Sequence, residues 1–241
     1  MTPLEFLAVV LPSPDNGLYC AAELTTKKKE HNFVESLEEL SPTITKWGDS
    51  KDIYFALSTF ENKGKRTADN ARFIKALFID MDGYETKKAA AVSLNDFLVK
   101  TGLDLLGTPY IVDSGGGLHC YWPFTQDIAI DVWKPVAENL KRLCKQEGLR
   151  IDMTVTADAA RVLRIPGTFN NKAKYATPRP VRILAEGDTF DFDDLANHIA
   201  SQLKSMPMLS RQQNVLGAAR QIGLVLVRQC WNWKCVPTQT I

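Results

Sequence analysis

Two aspartates separated by a single residue, Asp80 and Asp82 in LFIDMDG, close an apolar run that spans 76–81. A run of this kind reads as a buried strand, and its period of two turns both carboxylates to one face while Met81 packs on the other. Two like charges so close repel unless a cation lies between them. Carboxylate oxygens that leave positions for water and substrate phosphate are the ligands Mg²⁺ takes. The plainer alternative is an acidic strand end capped by solvent, and the pair alone does not decide between the two.

Two further segments carry residues suited to phosphate chemistry. In DSGGGLHCYW the tip Ser114, Gly115, Gly116 and Gly117 can offer several backbone N–H groups to an anion, with His119 and Tyr121 on one face of the outgoing strand. A loose turn and a structural histidine are the ordinary uses of the same residues. In RIDMTVTADAARVLRIPGTFNNK, Asp152 falls on an expected strand. Arg161 and Arg164 fall at i, i+3 on an expected helical turn, and Asn170 and Lys172 beyond the turn at Pro166 and Gly167. An acid beside fixed guanidinium groups is what a metal–triphosphate site needs, although minor surface ion pairs use the same residues. The polar loop 61–70 concentrates Lys63, Lys65 and Arg66. With 29 basic against 28 acidic residues the net charge is +1, so only a local patch of this sort can meet a polyanion.

These residues need elements to hold them. Strands are expected at 6–11 and 18–24, joined as a hairpin by the turn signal of Pro14, Asp15, Asn16 and Gly17. Helical spacing follows over 33–40, then a strand at 53–60. After the DxD strand, a helix over 87–101 stops at Gly102. Strands at 110–112 and 118–124 bracket the glycine tip. A helix with Val132, Val136, Leu140 and Leu143 on one face ends at Gly148, and a strand-like stretch covers 149–155. A strand at 181–185 and a helix over 193–204 complete the set. Strands and helices alternate with crossovers, which predicts an α/β or α+β domain with an open sheet over 1–205, and a C-terminal appendage or the start of a helical region over 206–241.

Hydrophobic residues make up 45% and charged residues 24% of the chain, enough for a packed core. Five cysteines without a framework of spacings suit a reducing compartment; Cys230 and Cys235 lack two further ligands for a metal and are expected to be ordinary thiols. The N-terminal apolar run has neither a positive leader nor a cleavage site, and no apolar stretch is long enough to cross a bilayer. The expectation is a cytoplasmic protein without a membrane partner, in the host cytoplasm if phage-encoded.

The order of DxD, then SGGGxH, then an acid followed by RVLRxPGTxNxK resembles the archaeo-eukaryotic primase superfamily, in particular the primase-polymerases of phages and mobile elements, over about 53–182. The resemblance implies an RRM-like catalytic core with an added N-terminal αβ unit. It makes Asp80, Asp82 and Asp152 the acids for two divalent cations, Mg²⁺ or Mn²⁺, and His119 a phosphate contact. Ser114 and Gly115 to Gly117 become the loop beside the incoming triphosphate, and Arg164 the basic residue that binds it. Asn170 stands where some relatives have a histidine. Lys172 and Arg161 match basic positions near the site, Lys172 on the nucleotide side and Arg161 on the DNA side; Lys63, Lys65 and Arg66 join the DNA side on their local charge alone, with a solvated loop the plainer alternative. The implied activity is template-directed nucleotidyl transfer from dNTPs or NTPs. The implied partners are a single-stranded DNA template, a primer strand and a replicative helicase, in trans or on a longer chain. The sequence departs from the wider family in having no Walker A loop and no zinc-stem signature, so helicase activity is not expected here and the expectation is an isolated or truncated version of a phage member.

Two other readings compete. An apolar strand ending in DxDG also resembles the opening motif of haloacid-dehalogenase-like phosphatases, with Asp80 as nucleophile and Asp82 as acid, but leaves the SGGGLH and RIPGTFNNK segments without work. A nucleic-acid-binding module that has lost catalysis gains nothing from acids clustered against polyanionic DNA. Under the primase-polymerase reading, Asp80→Ala and Asp82→Ala each abolish nucleotide incorporation and leave the fold largely intact. Parent-level turnover in either variant removes the assignment.

Overall fold

A computed structural model of the chain describes residues 1–25 and 29–204. The expected appendage over 206–241, with Cys230 and Cys235, lies outside the described residues. Among those residues no helix is long and apolar enough to cross a membrane.

The first element departs from the expected strand. Residues Pro3–Val10 form a helix, α1, because Thr2 and Glu5 close a reciprocal capping box and Pro3 occupies the first turn, where its missing N–H costs nothing. Six apolar residues satisfy either period, and the cap decides. The Pro14–Asn16 segment is a single 3-10 turn. It leads into β1 (Tyr19–Glu23), which pairs antiparallel with β2 (Glu30–Val34) and not with the N-terminal segment. Phe33, expected in a helix, lies on β2 and meets Phe60 edge-on at 5.6 Å. The helix itself, α2 (Leu37–Trp47), starts later, where the Ser36 hydroxyl accepts from the Glu39 amide.

The expected strand over 53–60 is two strands in two sheets. β3 (Ile53–Ala56) pairs with β1 and with β8 (Val162–Arg164), whereas β4 (Ser58–Phe60) pairs with β5 (Ala71–Met81). The break at Leu57 carries the chain from one sheet to the other. One sheet has the order β2-β1-β3-β8. The other, larger sheet is β11-β6-β7-β5-β4, in which β6 (Tyr110–Asp113), β7 (Leu118–Ala129) and β11 (Arg182–Ala185) complete the core. The helix α3 (Lys87–Thr101) connects β5 to β6 as expected, capped by Thr86 and stopped by left-handed Gly102. A two-stranded pair, β9 (Phe169–Asn170) with β10 (Arg179–Pro180), lies outside both sheets.

The helix α4 (Ile130–Gln146) follows β7, but its buried face is Trp133, Ala137, Leu140, Leu143 and Cys144, and Val132 is exposed. The expected face is therefore turned by one residue at its start, because Trp133 stacks on Phe78 at 5.9 Å and donates from its indole nitrogen to the Ala76 carbonyl. Residues 149–155 form an irregular segment and a turn, not a strand. The expected helical turn near Asp158 gives way to β8, so Arg164 sits on a strand and the i, i+3 helical relation to Arg161 does not exist. The last helix, α5 (Phe192–Lys204), packs on α4. The described cysteines Cys20, Cys120 and Cys144 are buried and form no disulfide among the described residues.

Phe6 joins the two sheets. Its ring meets Tyr121 at 5.2 Å and Tyr110 at 6.2 Å on the larger sheet, and Phe55 at 6.3 Å on the smaller one. Phe6→Ala should lower the unfolding free energy by about 3–5 kcal/mol, the usual loss for a fully buried phenylalanine. Denaturant titration reading a loss below about 1 kcal/mol would contradict the packing of α1 between the sheets.

Candidate active site

The register of β5 against β7 places Asp80 directly across from His119, so the two side chains leave the sheet on the same side. Asp82 lies just past the strand end and is exposed. The smaller sheet contributes the facing wall: Arg164 and Leu163 from β8 and Tyr54 from β3. Between the walls lies a cavity of about 350 Å³ that also reaches Ser114, Gly116, Arg161, Asn170 and Lys172. A wider groove of about 610 Å³ beside α3 holds none of these residues.

Charge is sorted across the cavity. Burial, and then the neighbouring Asp82, push the Asp80 carboxyl up from 3.8 to about 6; Asp152 adds to this, while Arg161 and Lys172 oppose it. His119 is buried, and desolvation together with Arg164, Arg161 and Lys172 lowers it to about 3. The 3.8 Å approach of its Nε2 to Asp80 Oδ1 is therefore not an ion pair, because the imidazole is neutral at physiological pH. Its Nδ1 lies 3.2 Å from the Tyr121 hydroxyl. With that hydroxyl donating, the ring proton is on Nε2 and faces Asp80.

Arg164 is buried and fixed by Asp52, whose Oδ1 accepts from Nη1 at 2.6 Å. Its guanidinium also lies over the Tyr54 ring at 4.7 Å. Arg164 Nη2 and Arg161 Nε are buried without a hydrogen-bond partner among the described residues. An unsatisfied buried guanidinium N–H is costly, and both arginines line the cavity opposite the acids. The donor set fits an anion of phosphate type.

Asp152 takes a different position from the expected strand. It sits on a turn, its amide donating to the Asp80 carbonyl at 2.8 Å, so the two residues are adjacent through the backbone. Its carboxylate accepts from the Thr154 hydroxyl at 2.6 Å and the Thr154 amide at 2.9 Å. Burial raises its pKa, but these bonds outweigh burial and leave it below the usual carboxylate value. Among the described residues no group of three or more histidine, cysteine or acidic side chains forms a ready-made cation cage. Asp80 and Asp82 still fit a cation of the kind that takes one or two carboxylates and completes its shell with water and phosphate.

The glycine hairpin differs from an open cradle of several amides. Ser114 N–H donates to the Gly117 carbonyl, Gly115 N–H to Asp113 Oδ1, and Gly117 N–H to the Ser114 hydroxyl. Gly116 is left to face the cavity. Gly117 is glycine for a packing reason, since a Cβ there would lie 2.1 Å from the Met81 carbonyl oxygen. The hairpin thus presses against the DxD strand end. Asn170 holds its other side, donating to the Ser114 carbonyl at 2.9 Å.

The loop of Lys63, Lys65 and Arg66 divides. Lys63 pairs with Glu35 at 3.1 Å and Lys65 is exposed, whereas the Arg66 guanidinium donates to the Ala160 carbonyl and lines the cavity. Sequence reading missed Asp52, Tyr54, Asp158 and Tyr175, which complete the cavity or its supports. Asp52 also accepts from the Asn171 amide at 2.8 Å, fixing Arg164 and the 170–172 segment with one carboxylate.

The comparisons with known proteins agree with this architecture. No family model matches the chain. A "Replication protein" from Clostridium perfringens is 32% identical over 158 residues, covering 64% of this chain, which spans 37% of that protein's length. The fold resembles the primase-polymerase AEP domain of cyanophage S-2L, with a TM-score of 0.56 at 16% identity, covering 85% of this chain and 96% of that one. It also resembles the primase RepB′, with a TM-score of 0.52 at 14% identity, covering 84% and 64%. The chain therefore has the mixed α/β fold of primase-polymerase domains, built from antiparallel sheets, as the motif order implied.

The Asp80 shift has a consequence for stability. A carboxyl whose folded pKa is raised gives stability that is full below its unfolded value and lost as pH rises through the folded one. Without metal, ionising Asp80 between its unfolded 3.8 and about 6 costs the folded state on the order of 2–3 kcal/mol. Asp80→Asn should therefore be more stable than the parent at pH 7.5 in chelator and nearly equal to it at pH 4. Denaturant unfolding that gives the same difference at both pH values contradicts the placement of this carboxyl.

Proposed function

We propose that this chain is the catalytic domain of a DNA primase-polymerase, transferring nucleotides from dNTPs or NTPs under the direction of a single-stranded DNA template. The observation that carries the proposal is the opposition, across one cavity, of Asp80 and Asp82 to two arginines, Arg161 and Arg164, each with a buried guanidinium nitrogen that has no hydrogen-bond partner among the described residues. The fold likeness and the similarity to a replication protein support the same reading.

The reaction is in-line attack of a 3′ hydroxyl on the α-phosphate of the incoming nucleotide. The new O–P bond forms as the bond to the β-phosphate breaks, and pyrophosphate leaves. Asp80 and Asp82, with Asp152 alongside, would hold Mg²⁺ or Mn²⁺, which would supply activation of the attacking oxygen and neutralisation of the leaving one. The protein's own part is positioning. Arg164, held by Asp52, and Arg161 and Lys172 receive the triphosphate. Neutral His119 contributes a hydrogen bond and no charge, so it can sit beside Asp80 without competing for the cation. No side chain is assigned as general base.

The phosphatase reading gives no role to the glycine hairpin or to 170–172, yet both border the cavity that contains Asp80. A binding assay separates the classes. Mn²⁺-dependent nucleotide binding supports nucleotidyl transfer, a phosphoenzyme supports the phosphatase, and DNA binding indifferent to metal and nucleotide supports a binding module. Within the proposed reading, His119→Ala and Arg164→Lys should weaken nucleotide binding by about 10-fold or more, the worth of a charge-assisted hydrogen bond, and change template affinity by less than about twofold. Lysine keeps the charge beside Asp52 but has a single nitrogen, so it cannot pair with Asp52 and present a second nitrogen to the cavity in the fork geometry of arginine. Titrations showing template affinity collapsing with nucleotide affinity unchanged contradict these roles.

A further inference from the structure

Between Asp158 and Glu186 the chain carries six basic residues and no acid, in a protein of net charge +1. Arg161 and Arg164 are drawn into the cavity. Lys172, Lys174 and Arg179 are exposed on the strap that runs from β9 to β10. The strap is tied to the glycine hairpin at the cavity mouth, with Asn170 donating to the Ser114 carbonyl and Arg179 Nη1 to the Gly115 carbonyl at 3.2 Å. Its tip is ordered by Tyr175, whose ring lies 3.9 Å from the Arg179 guanidinium and 5.2 Å from the Lys174 ammonium. A guanidinium already stacked on a ring loses little freedom when it meets a phosphate. Lys172 lines the cavity, whereas Lys174 and Arg179 lie outside its lining. The alternative basic loop offers fewer cations at its surface, because Arg66 is turned into the cavity and Lys63 shares its charge with Glu35, which leaves Lys65 exposed.

We propose that this strap, through Lys174 and Arg179, is the surface that carries the single-stranded DNA template past the active site, in place of the 63–66 loop. The inference rests on the nucleotidyl-transfer reading. A phosphate chain passing the mouth meets two preordered cations on the strap, and the unpaired strand leaves its bases free to reach the cavity beyond Gly116.

The test is fluorescence anisotropy of a labelled single-stranded oligonucleotide with the full chain, over a range of salt concentrations. The variants are Lys174→Ala with Arg179→Gln, which keeps an amide donor for the Gly115 carbonyl, and Lys63→Ala with Lys65→Ala. The log–log salt slope should fall by about 1.4 in the strap variant, since each phosphate contact on a single strand contributes about 0.7. It should stay at the parent value in the loop variant, and nucleotide affinity should be unchanged in both. If the double strap variant fails to fold, Lys174→Ala alone reads the same effect at about half the size. A parent-like slope in the strap variants, or a reduced slope in the loop variant only, overturns the proposal. So does loss of nucleotide affinity at unchanged slope, which makes the strap a triphosphate clamp. If the parent incorporates nucleotides on a template and the strap variants keep its slope, this inference alone fails; if the parent neither binds single strands nor incorporates nucleotides, the functional reading fails with it.

Discussion

A carboxylate placed where water barely reaches it must find positive charge or stay protonated, and Asp80 is such a carboxylate. Burial and Asp82 disfavour its ionisation, and Arg161 and Lys172 across the cavity favour it. The surroundings follow from that balance. His119, its partner across the β5–β7 ladder, is kept neutral by burial and by the same cations, so it brings no competing charge. Arg164 on the opposite wall is held by Asp52, which offsets its charge and leaves Nη2 without a hydrogen-bond partner among the described residues. The acid wall and the basic wall are each incomplete, and a nucleotide with its divalent cations has the charges to complete both.

The two-sheet architecture makes this opposition possible. The chain crosses from the smaller to the larger sheet at Leu57, between β3 and β4, and Phe6 packs against both sheets. Arg164 and Asp80 therefore face each other although neither sheet alone contains both. The glycine hairpin closes the mouth because Gly117 lets its backbone reach the Met81 carbonyl, and Asn170 fastens the strap to it.

Much of this was legible where local rules decide. The apolar run into DxD, the helix between its Thr86 cap and Gly102, and the hairpin around three glycines each carry their own signals. The N-terminal helix was misread because a short apolar run fits both periods and the Thr2–Glu5 box decides it. Asp152 and Arg161 were expected on regular elements and lie on turns, whose geometry is set by contacts with distant strands. Asp52 was invisible for the same reason: it is 112 residues from Arg164. The hairpin looked like a phosphate cradle, yet most of its amides bond within the turn, and pattern alone cannot tell an amide aimed at a ligand from one aimed at its own loop.

The most direct measurement of the central claim is incorporation of labelled dNTPs and NTPs on a defined single-stranded template, with and without a primer, in Mg²⁺, Mn²⁺ or chelator. The account predicts products whose composition follows the template, formed with either metal and absent in chelator. Failure to extend any template with either nucleotide class and either metal, by a folded chain that binds both nucleotide and DNA, would contradict it.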